Sequence, residues 1–266
     1  MELNAFVAHR VELSPDLIIL RIIPDGWELP DFIPGQFAVL GLYGSAVRTH
    51  FADLEEKPSN PDKLIRRAYS IASSSTNKEY LEFYITLVRS GGLTPRLFAL
   101  QTGNKVFVGQ KFTGMFTLEM IKQNTNIIML STGTGLAPYM SMLRTVLKPP
   151  LKNHFIVVHG ARHSWDLGYR SELMTLRTIC NKLTYIPVIS RPNEEMLKWG
   201  GQSGYIQDIW NNKNELLPFK PTPADTHVLL CGNPGMIDEM LINLTAEGYV
   251  EHKKKSPGNI HLERYW

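Results

Sequence analysis

The chain has 266 residues, of which 43% are hydrophobic and 20% charged, and its formal net charge is +3. This length suits two domains of ordinary size, and the composition is that of a soluble globular protein. So small a net charge does not by itself predict nucleic-acid binding. The two cysteines, Cys180 and Cys231, exclude a four-cysteine iron–sulfur or zinc site within the chain and a disulfide framework. We therefore expect a protein of the reducing cytoplasm.

No segment of the sequence predicts a signal peptide or a membrane span. The first thirteen residues include Glu2, Arg10 and Glu12 and have no apolar core. Residues 123–143 form the longest uncharged stretch, but they contain asparagines, glycines and Pro138, which a helix facing lipid does not favour. We interpret this stretch as strand, loop and helix.

The first half of the chain has the pattern of short strands separated by turn residues. The β-rich runs are residues 4–13, 17–23 and 36–42. Residues 80–87 alternate with a period of two, with Leu81, Phe83 and Ile85 on one face. Several such strands predict a small antiparallel β-barrel, from which the polar, proline-rich residues 44–63 are predicted to form a mobile excursion.

The second half of the chain alternates compact apolar runs with helical patterns. The apolar runs are typical of strands buried on both faces, and they are residues 127–130, 155–158, 183–189 and 228–230. The helical patterns are residues 137–147, 169–181 and 236–247. This alternation predicts a parallel sheet covered by helices. We therefore expect an N-terminal β-barrel domain over residues 1–115 and a C-terminal α/β domain over residues 116–266.

Two motifs of the first half could bind a flat cofactor that carries phosphates. Residues 67–70, with the sequence RAYS, end a barrel strand. A guanidinium can neutralise a pyrophosphate and an aromatic ring can stack on a heterocycle, although a plain edge strand explains four residues as well. Residues 91–96 form a glycine turn that leads into a short helix, whose first amides could bind an anion. The alternative there is an ordinary helix N-cap at Thr94 followed by proline.

Two motifs of the second half suit a phosphorylated dinucleotide. Residues 132–138 follow an apolar strand and precede a helix, so the glycines allow a tight turn and the helix start attracts a pyrophosphate. Pro138 stands where the Rossmann fingerprint has its last glycine. Ser190 and Arg191 follow the run 183–189, and a hydroxyl beside a guanidinium suits the 2′-phosphate of NADPH. The alternative for Arg191 is a surface arginine.

Taken in order, these motifs resemble the ferredoxin/flavodoxin–NADP⁺ reductase family, in its bacterial branch, over essentially the whole chain. The motifs are PGQF at residues 34–37, RAYS at 67–70, GLT at 92–94, STGTGLAP at 131–138, SR at 190–191, CGNP at 231–234 and ERYW at 263–266. The resemblance implies an antiparallel β-barrel that binds FAD and a parallel-sheet α/β domain that binds NADP(H). It also implies a C-terminal tail that returns to the flavin.

The resemblance implies a set of site residues. Those for FAD are Arg67, Ala68, Tyr69, Ser70, Gly92, Leu93, Thr94, Thr134, Tyr265 and Trp266. Those for NADP(H) are Thr132, Gly133, Gly135, Arg162, Ser190, Arg191, Tyr205, Gln207, Cys231 and Gly232. The residues implied in catalysis are Ser70, Cys231, Glu263 and Tyr265. No metal site is expected.

Individual roles follow from the same resemblance. Arg67 would contact the FAD pyrophosphate, Tyr69 would stack on the flavin, and Ser70 would lie near flavin N5. Tyr265 would cover the opposite flavin face and Trp266 the adenine end, although a frayed terminus is the alternative.

The remaining roles concern the nicotinamide side. Tyr205 would stack on the adenine of NADP(H), at a point where other bacterial members have a second arginine. Cys231 would lie beside the site of hydride transfer, with a small buried hydrophobe as the alternative. Glu263 would act electrostatically or in proton handling, with an ordinary surface glutamate as the alternative.

The function implied is hydride exchange between NADPH and FAD, with single electrons passed to or from an acidic ferredoxin or flavodoxin. Candidates for steering that carrier are Lys253, Lys254, Lys255, Arg144, Lys148 and Lys152. We expect a monomer that binds neither nucleic acid nor a membrane. One alternative is an NADH-preferring flavin reductase that serves an oxygenase or cytochrome, against which Arg191 argues. The other is a flavin redox sensor without turnover, which the nicotinamide motifs disfavour.

Overall fold

A computed structural model describes residues 2–265. Contacts between residues divide the chain into two units: the first extends to Thr117 and includes Ala137–Val146, and the second comprises Leu118–Leu136 and the chain from Leu147 onward. By its contacts, the segment Ala137–Val146 belongs to the first unit. The sequence predicted it to lie in the second domain, which was expected to begin at residue 116.

The first unit is a six-stranded antiparallel sheet. Its strands are β1 (Ala5–Ser14), β2 (Leu17–Pro24), β3 (Phe37–Tyr43), β4 (Leu64–Ser70), β5 (Leu81–Thr86) and β6 (Lys105–Val108), and its helices are α1 (Thr94–Ala99) and α2 (Ala137–Val146). The strand order is β4-β3-β6-β1-β2-β5. Just beyond β4, Ile71 pairs with Phe83 of β5, so the two outermost strands approach each other. This arrangement confirms the predicted antiparallel barrel.

Strand β5 is buried on both faces, because an ion pair covers its polar side. Glu82 is 1% exposed, and its carboxylate accepts hydrogen bonds at 2.7 Å from Arg21 and at 2.7 Å from Arg144. Arg144 also donates to the carbonyl oxygen of Ala72. The prediction that Arg144 steers a partner at the surface is therefore wrong, because its guanidinium is committed to a buried carboxylate.

The segment 44–63 is fixed to α1 by a second ion pair. Arg96 of α1, which is 2% exposed, donates to Glu55 at 2.8 Å and to the carbonyl oxygens of Gly92 and Gly44 at 2.6 and 2.7 Å. Arg48 donates to the same carboxylate at 2.9 Å. The sequence predicted a mobile excursion, and the structure shows a segment held at its start and its centre instead.

These contacts give Glu55 a measurable effect on stability. The hydrogen bond from Arg96 lowers the pKa of the Glu55 carboxyl from 4.5 to about 2. Because the folded-state pKa lies below the unfolded value, the stabilisation is present above about pH 4.5 and is lost as the pH falls towards about 2.

We predict that Glu55→Gln lowers the free energy of unfolding at neutral pH by about 1–3 kcal/mol, and that this deficit shrinks in acid. Urea unfolding of both proteins, from about pH 7 to about pH 3, measures the difference. Glu56→Gln, at an exposed neighbouring residue, is the control and should leave the stability nearly unchanged. A Glu55→Gln deficit that does not vary with pH would contradict the assigned ion pair.

The second unit is a six-stranded parallel sheet. Its strands are β7 (Asn126–Thr132), β8 (His154–Ala161), β9 (Leu183–Ile189), β10 (Gln202–Ser203), β11 (Thr226–Cys231) and β12 (Ile260–Glu263). Its helices are α3 (Arg170–Ile179), α4 (Ile206–Asn211), α5 (Lys213–Leu216) and α6 (Pro234–Ala246). The strand order is β10-β9-β8-β7-β11-β12, so the direction of winding reverses between β7 and β11. In open α/β sheets, ligands bind outside the carboxyl ends of the strands at such a reversal.

The core of this unit explains why its strands show no alternation of apolar and polar residues. On one sheet face, Ile128, Val158 and Leu230 pack in one buried cluster with Ile209 of α4 and Met240 of α6. The strand residues between them are buried as well, as expected of a parallel sheet. Because all strands run the same way, their carboxyl ends meet at one edge. Among residues 2–265, no helix is both long and apolar enough to span a membrane.

Candidate functional site

In the first unit, the candidate site begins on the edge strand β4. Arg67 and Tyr69 lie on the same side of this strand, because side chains two residues apart share a face. Arg67 is exposed, whereas Tyr69 is half-buried and packs against the hydrophobic core of the unit. Burial raises the pKa of the Tyr69 phenol above its ordinary value. The strand thus presents a fixed neutral ring two residues from an exposed guanidinium, which donates to the carbonyl oxygen of Arg66 at 2.7 Å.

The last residue of this motif, Ser70, lies on the other side of β4 from Tyr69. Ser70 pairs in register with Phe37 of β3 and is buried. Ala68, between Arg67 and Tyr69, is exposed. The four motif residues therefore form two pairs that face opposite ways, which the period-two geometry of a strand dictates.

The glycine turn lies beside this strand. Gly92 adjoins β4, since a Cβ atom added to it would be 3.7 Å from Cγ2 of Ile65. Helix α1 begins at Thr94, with Leu93 at the N-cap position. The Thr94 hydroxyl accepts from the Val88 amide at 3.0 Å and donates to the Val88 carbonyl at 3.1 Å. The N-cap alternative for Thr94 is wrong, because its hydroxyl closes the loop instead.

A groove of about 490 Å³ runs along the β4 edge and is within the size range of small-molecule sites. It is lined by Ser59, Asn60, Lys63, Leu64, Ile65, Arg66 and Arg67. Three basic side chains and an apolar floor suit a ligand that has both phosphates and a flat ring. One wall of this groove belongs to the segment that Glu55 holds in place.

In the second unit, two loops interlock where β7 and β11 end. The Asn233 amide donates to Oγ1 of Thr132 at 2.7 Å. A Cβ atom on Gly232, whose φ is +133°, would lie 2.3 Å from that same oxygen. A Cβ atom on Gly135 would lie 2.3 Å from the carbonyl oxygen of Cys231. Glycine is required at both positions, because any side chain would force the loops apart.

Gly133 has a different reason to be glycine. Its φ is +53°, and a Cβ atom added there would meet no described atom within 4 Å. The backbone is therefore bare on one side, at the start of the 3₁₀ turn Gly133–Leu136. A bare backbone at the beginning of a helical turn can approach phosphate oxygens closely. Thr134, which was predicted for FAD, lies in this same loop.

The predicted arginines meet at the carboxyl ends of β8 and β9. The Ser190 amide donates to the carbonyl oxygen of Ala161, and the Arg191 amide donates to that of Arg162, both at 3.0 Å. Arg162 and Arg191 are both exposed. Two guanidiniums and a hydroxyl thus lie at neighbouring backbone positions, as binding of a phosphate monoester requires.

An acidic side chain that sequence reasoning missed shares this edge. The Glu194 carboxylate lies 3.5 Å from Nη1 of Arg191 and 2.8 Å from Nε2 of His163. The hydrogen bond with His163 lowers the pKa of Glu194, so the carboxylate is charged at neutral pH. The signal in the sequence was the three-residue spacing from Arg191, across the turn Pro192–Glu194.

Tyr205 and Gln207 lie at the start of α4. The Tyr205 side chain is 66% exposed, and its amide donates to the Asp208 carboxylate at 2.7 Å. Its ring is therefore accessible for stacking while its backbone is fixed. Gln207 donates to Glu239 of α6 at 2.6 Å, so its amide contributes to packing between these two helices.

Three predicted residues come together at the end of β11. Strand β12 pairs in register with β11, which places Glu263 beside Cys231, with Sγ 3.9 Å from Oε2. Burial, and then the Glu263 charge, raise the pKa of the Cys231 thiol well above its ordinary value, although a hydrogen bond with Tyr265 lowers it in part. Tyr265 thus contacts Cys231. Trp266 lies outside the described residues.

Comparisons with known proteins agree with these features. The oxidoreductase NAD-binding domain family matches residues 129–241. A flavodoxin/ferredoxin–NADP reductase from Buchnera aphidicola subsp. Baizongia pistaciae is 31% identical over 77% of this chain and 82% of its own length. The chain belongs to the flavodoxin/ferredoxin–NADP reductase family. The Escherichia coli K12 reductase of that name is 31% identical over 88% of each chain.

A comparison with solved structures agrees with this family. A ferredoxin NADP⁺ reductase from Neisseria gonorrhoeae with bound FAD and NADP has 25% identity and a TM-score of 0.81, over 99% of this chain and 98% of that one. The resemblance predicted from the motifs is therefore confirmed, and so is the two-domain fold class.

The burial of Cys231 has a chemical consequence that can be measured. A buried thiol with a raised pKa forms little thiolate, and the thiolate is the reactive species. We predict that iodoacetamide alkylates Cys231 at least about tenfold more slowly than the partly exposed Cys180. Mass spectrometry of native and urea-unfolded protein gives both rates, and Cys180→Ser isolates the slower one. Equal rates in the native protein would show that the thiol is not enclosed as described.

Proposed function

We propose that this reductase exchanges hydride between NADPH and FAD and passes single electrons to or from ferredoxin or flavodoxin. The observation that carries the proposal is the edge of the parallel sheet, where Arg162, Ser190 and Arg191 adjoin one another at the ends of two strands and the glycine loop after β7 leaves its backbone bare. The relatives' names and the FAD and NADP in the Neisseria gonorrhoeae structure support it.

In this proposal FAD binds along β4. Arg67 neutralises its pyrophosphate, Tyr69 stacks on the flavin ring, and Ser70 lies near flavin N5. Further contacts come from Ala68, Gly92, Leu93 and Thr94 of the same unit. When bound, FAD would supply hydride acceptance and single-electron release, chemistry that no side chain of the protein provides. The protein supplies position, an apolar surface and charge.

NADP(H) binds at the carboxyl edge of the parallel sheet. The loop of Thr132, Gly133 and Gly135 takes the pyrophosphate. The 2′-phosphate lies with Arg162, Ser190 and Arg191, since an exposed pair of guanidiniums beside a hydroxyl suits that group. The exposed ring of Tyr205 stacks on the adenine, next to Gln207.

The nicotinamide end lies with Cys231, Gly232, Glu263 and Tyr265. The Cys231 thiol stays protonated, because burial raises its pKa, so it acts as a small neutral surface and not as a nucleophile. Glu263, 3.9 Å from that thiol, is the group here that can hold or release a proton. Tyr265 contacts Cys231 and must move if a nicotinamide ring is to occupy the same place.

The proposed electron carrier is inferred from the charge of the surface, and the proposed compartment is inferred from the free thiols. The residues 253–255 are three exposed lysines in a turn, of which Lys253 pairs with Glu251 at 3.1 Å. Such a positive patch attracts an acidic carrier. Cys180 and Cys231 are both free thiols, which supports a reducing cytoplasm.

A second candidate, an NADH-preferring flavin reductase, is favoured by Glu194. Its carboxylate lies 3.5 Å from Nη1 of Arg191. There it would compete with a 2′-phosphate for the guanidinium and would also repel that phosphate. The two candidate functions differ in the nucleotide that the enzyme prefers, so kinetics with NADPH and with NADH decide between them.

The proposed function predicts that the purified protein contains FAD and reduces ferredoxins or flavodoxins with NADPH. Steady-state reduction of a panel of both carriers, with NADPH and with NADH, is the test. NADPH should give the higher kcat/KM, and activity should fall with ionic strength because the encounter is electrostatic. Bleaching of the flavin without transfer to any carrier would contradict the proposal.

The 2′-phosphate site predicts opposite effects of two neighbouring substitutions. Arg191→Ala should weaken NADPH about tenfold to hundredfold, since a charge-assisted hydrogen bond is lost, and should leave NADH nearly unaffected. Glu194→Gln should strengthen NADPH by up to about fivefold, because an exposed competing charge is removed.

Steady-state kinetics with both nucleotides measure these changes. Glu119→Gln makes the same change of charge at another exposed residue and is the control for Glu194→Gln. Equal loss of NADPH and NADH in Arg191→Ala would place the 2′-phosphate elsewhere.

A further inference from the structure

A histidine in the core of the second unit lies directly beneath the loop proposed to bind the pyrophosphate. His159 is 0% exposed and belongs to β8, where it pairs in register with Ser131 of β7. Tyr185 of β9 is on the same sheet face, since it pairs with Val157, two residues before His159. A buried polar ring needs hydrogen-bond partners, and those of His159 connect it to the loop.

The partners of His159 fix which of its nitrogens carries the proton. Nε2 lies 3.3 Å from the carbonyl oxygen of Gly133, and a carbonyl can only accept, so Nε2 carries the hydrogen. Nδ1 lies 3.4 Å from the hydroxyl of Tyr185. Burial lowers the pKa of His159 to about 4, so the ring is neutral at physiological pH. Nδ1 is then an acceptor, and Tyr185 donates to it.

This contact sets the direction of a backbone amide. The peptide bond between Gly133 and Thr134 is trans and planar, so its N–H points opposite to its C=O. With the carbonyl directed at the buried ring of His159, the Thr134 N–H is directed away from it. The first amides of a helical turn have no partner within that turn, so this N–H is available to a ligand.

Gly133 needs such a contact because its own conformation is weakly determined. Glycine adopts positive and negative φ with similar ease. No described atom lies within 4 Å of the place a Cβ would occupy, so packing does not restrain it from that side. Together with the 3₁₀ turn of residues 133–136, the hydrogen bond from His159 therefore restrains the peptide against the flipped orientation, in which the carbonyl would face the ligand.

We propose that His159, oriented by Tyr185, is a positioning residue that holds the Thr134 amide towards the pyrophosphate of NADP(H). The inference rests on the proposed function, since it assumes that the pyrophosphate lies at this loop. His159 touches no reacting atom and acts through the Gly133–Thr134 peptide.

Two ligands separate this role from a general loss of structure. NADP⁺ carries both the pyrophosphate and the 2′-phosphate, whereas adenosine 2′-monophosphate carries only the latter. His159→Phe removes the donor, His159→Gln retains an N–H donor, and Tyr185→Phe removes only the hydroxyl that orients the ring. Binding of both ligands is measured by calorimetry on each FAD-loaded protein.

His159→Phe should weaken NADP⁺ about tenfold, which is the effect of one hydrogen bond to a charged group, and leave adenosine 2′-monophosphate unchanged. His159→Gln should recover most of the NADP⁺ affinity, and Tyr185→Phe should lose about twofold to fivefold. Arg191→Ala is the matched control and should weaken both ligands.

The outcomes distinguish the inference from the function on which it rests. If the parent protein does not bind NADP⁺, the proposed function fails and the inference fails with it. If the parent binds and His159→Phe weakens both ligands equally, or neither, the positioning role is overturned while the function stands. Should His159→Phe not fold, Tyr185→Phe decides, because an unchanged ratio of the two affinities overturns the role.

Discussion

The close contact between the loops after β7 and β11 is the constraint on which the parallel-sheet site depends. A side chain on Gly135 or Gly232 would place its Cβ atom 2.3 Å from an oxygen of the other loop, so the loops would have to move apart. The Asn233 amide can reach Oγ1 of Thr132 only at this spacing. The same spacing fixes Cys231 at the end of its strand, so the glycines determine where its thiol lies.

In the first unit, remote segments are connected by ion pairs to the buried Glu82 and to the partly buried Glu55. Glu55 binds Arg96 and Arg48, while Glu82 binds Arg21 and Arg144. The desolvation of such charges offsets much of their attraction, so their contribution is better understood as specificity than as stability. Each pair is satisfied in only one arrangement of its segments, and one of the two fixes the wall of the groove along β4.

Periodicity in the sequence predicted the long elements well, because their burial is repetitive. The run Leu183–Ile189 is a strand with the bounds that its apolar pattern indicated. Strand β12 was missed, since Ile260–Glu263 is too short to show a period, although it explains why Glu263 lies beside Cys231. Arg144 was misjudged because a helical arginine gives no sign of a partner that is distant in the sequence. Glu194 was missed although its spacing from Arg191 was a signal, because its contact with His163 joins residues that are distant in the sequence.

The edge of the parallel sheet separates neutral groups inside from charged groups outside. His159 and Cys231 are enclosed, and burial holds both in their uncharged forms by lowering the pKa of the first and raising that of the second. Arg162, Arg191 and Glu194 are exposed and carry their charges in water. At the proposed site, a nucleotide would therefore be selected by charge at its phosphate end, where salt and neighbouring carboxylates screen the attraction. The proposed function places its pyrophosphate and nicotinamide near His159 and Cys231, whose uncharged forms are favoured by burial. Selection among nucleotides can then change through the exposed residues without altering the enclosed ones that fix the geometry.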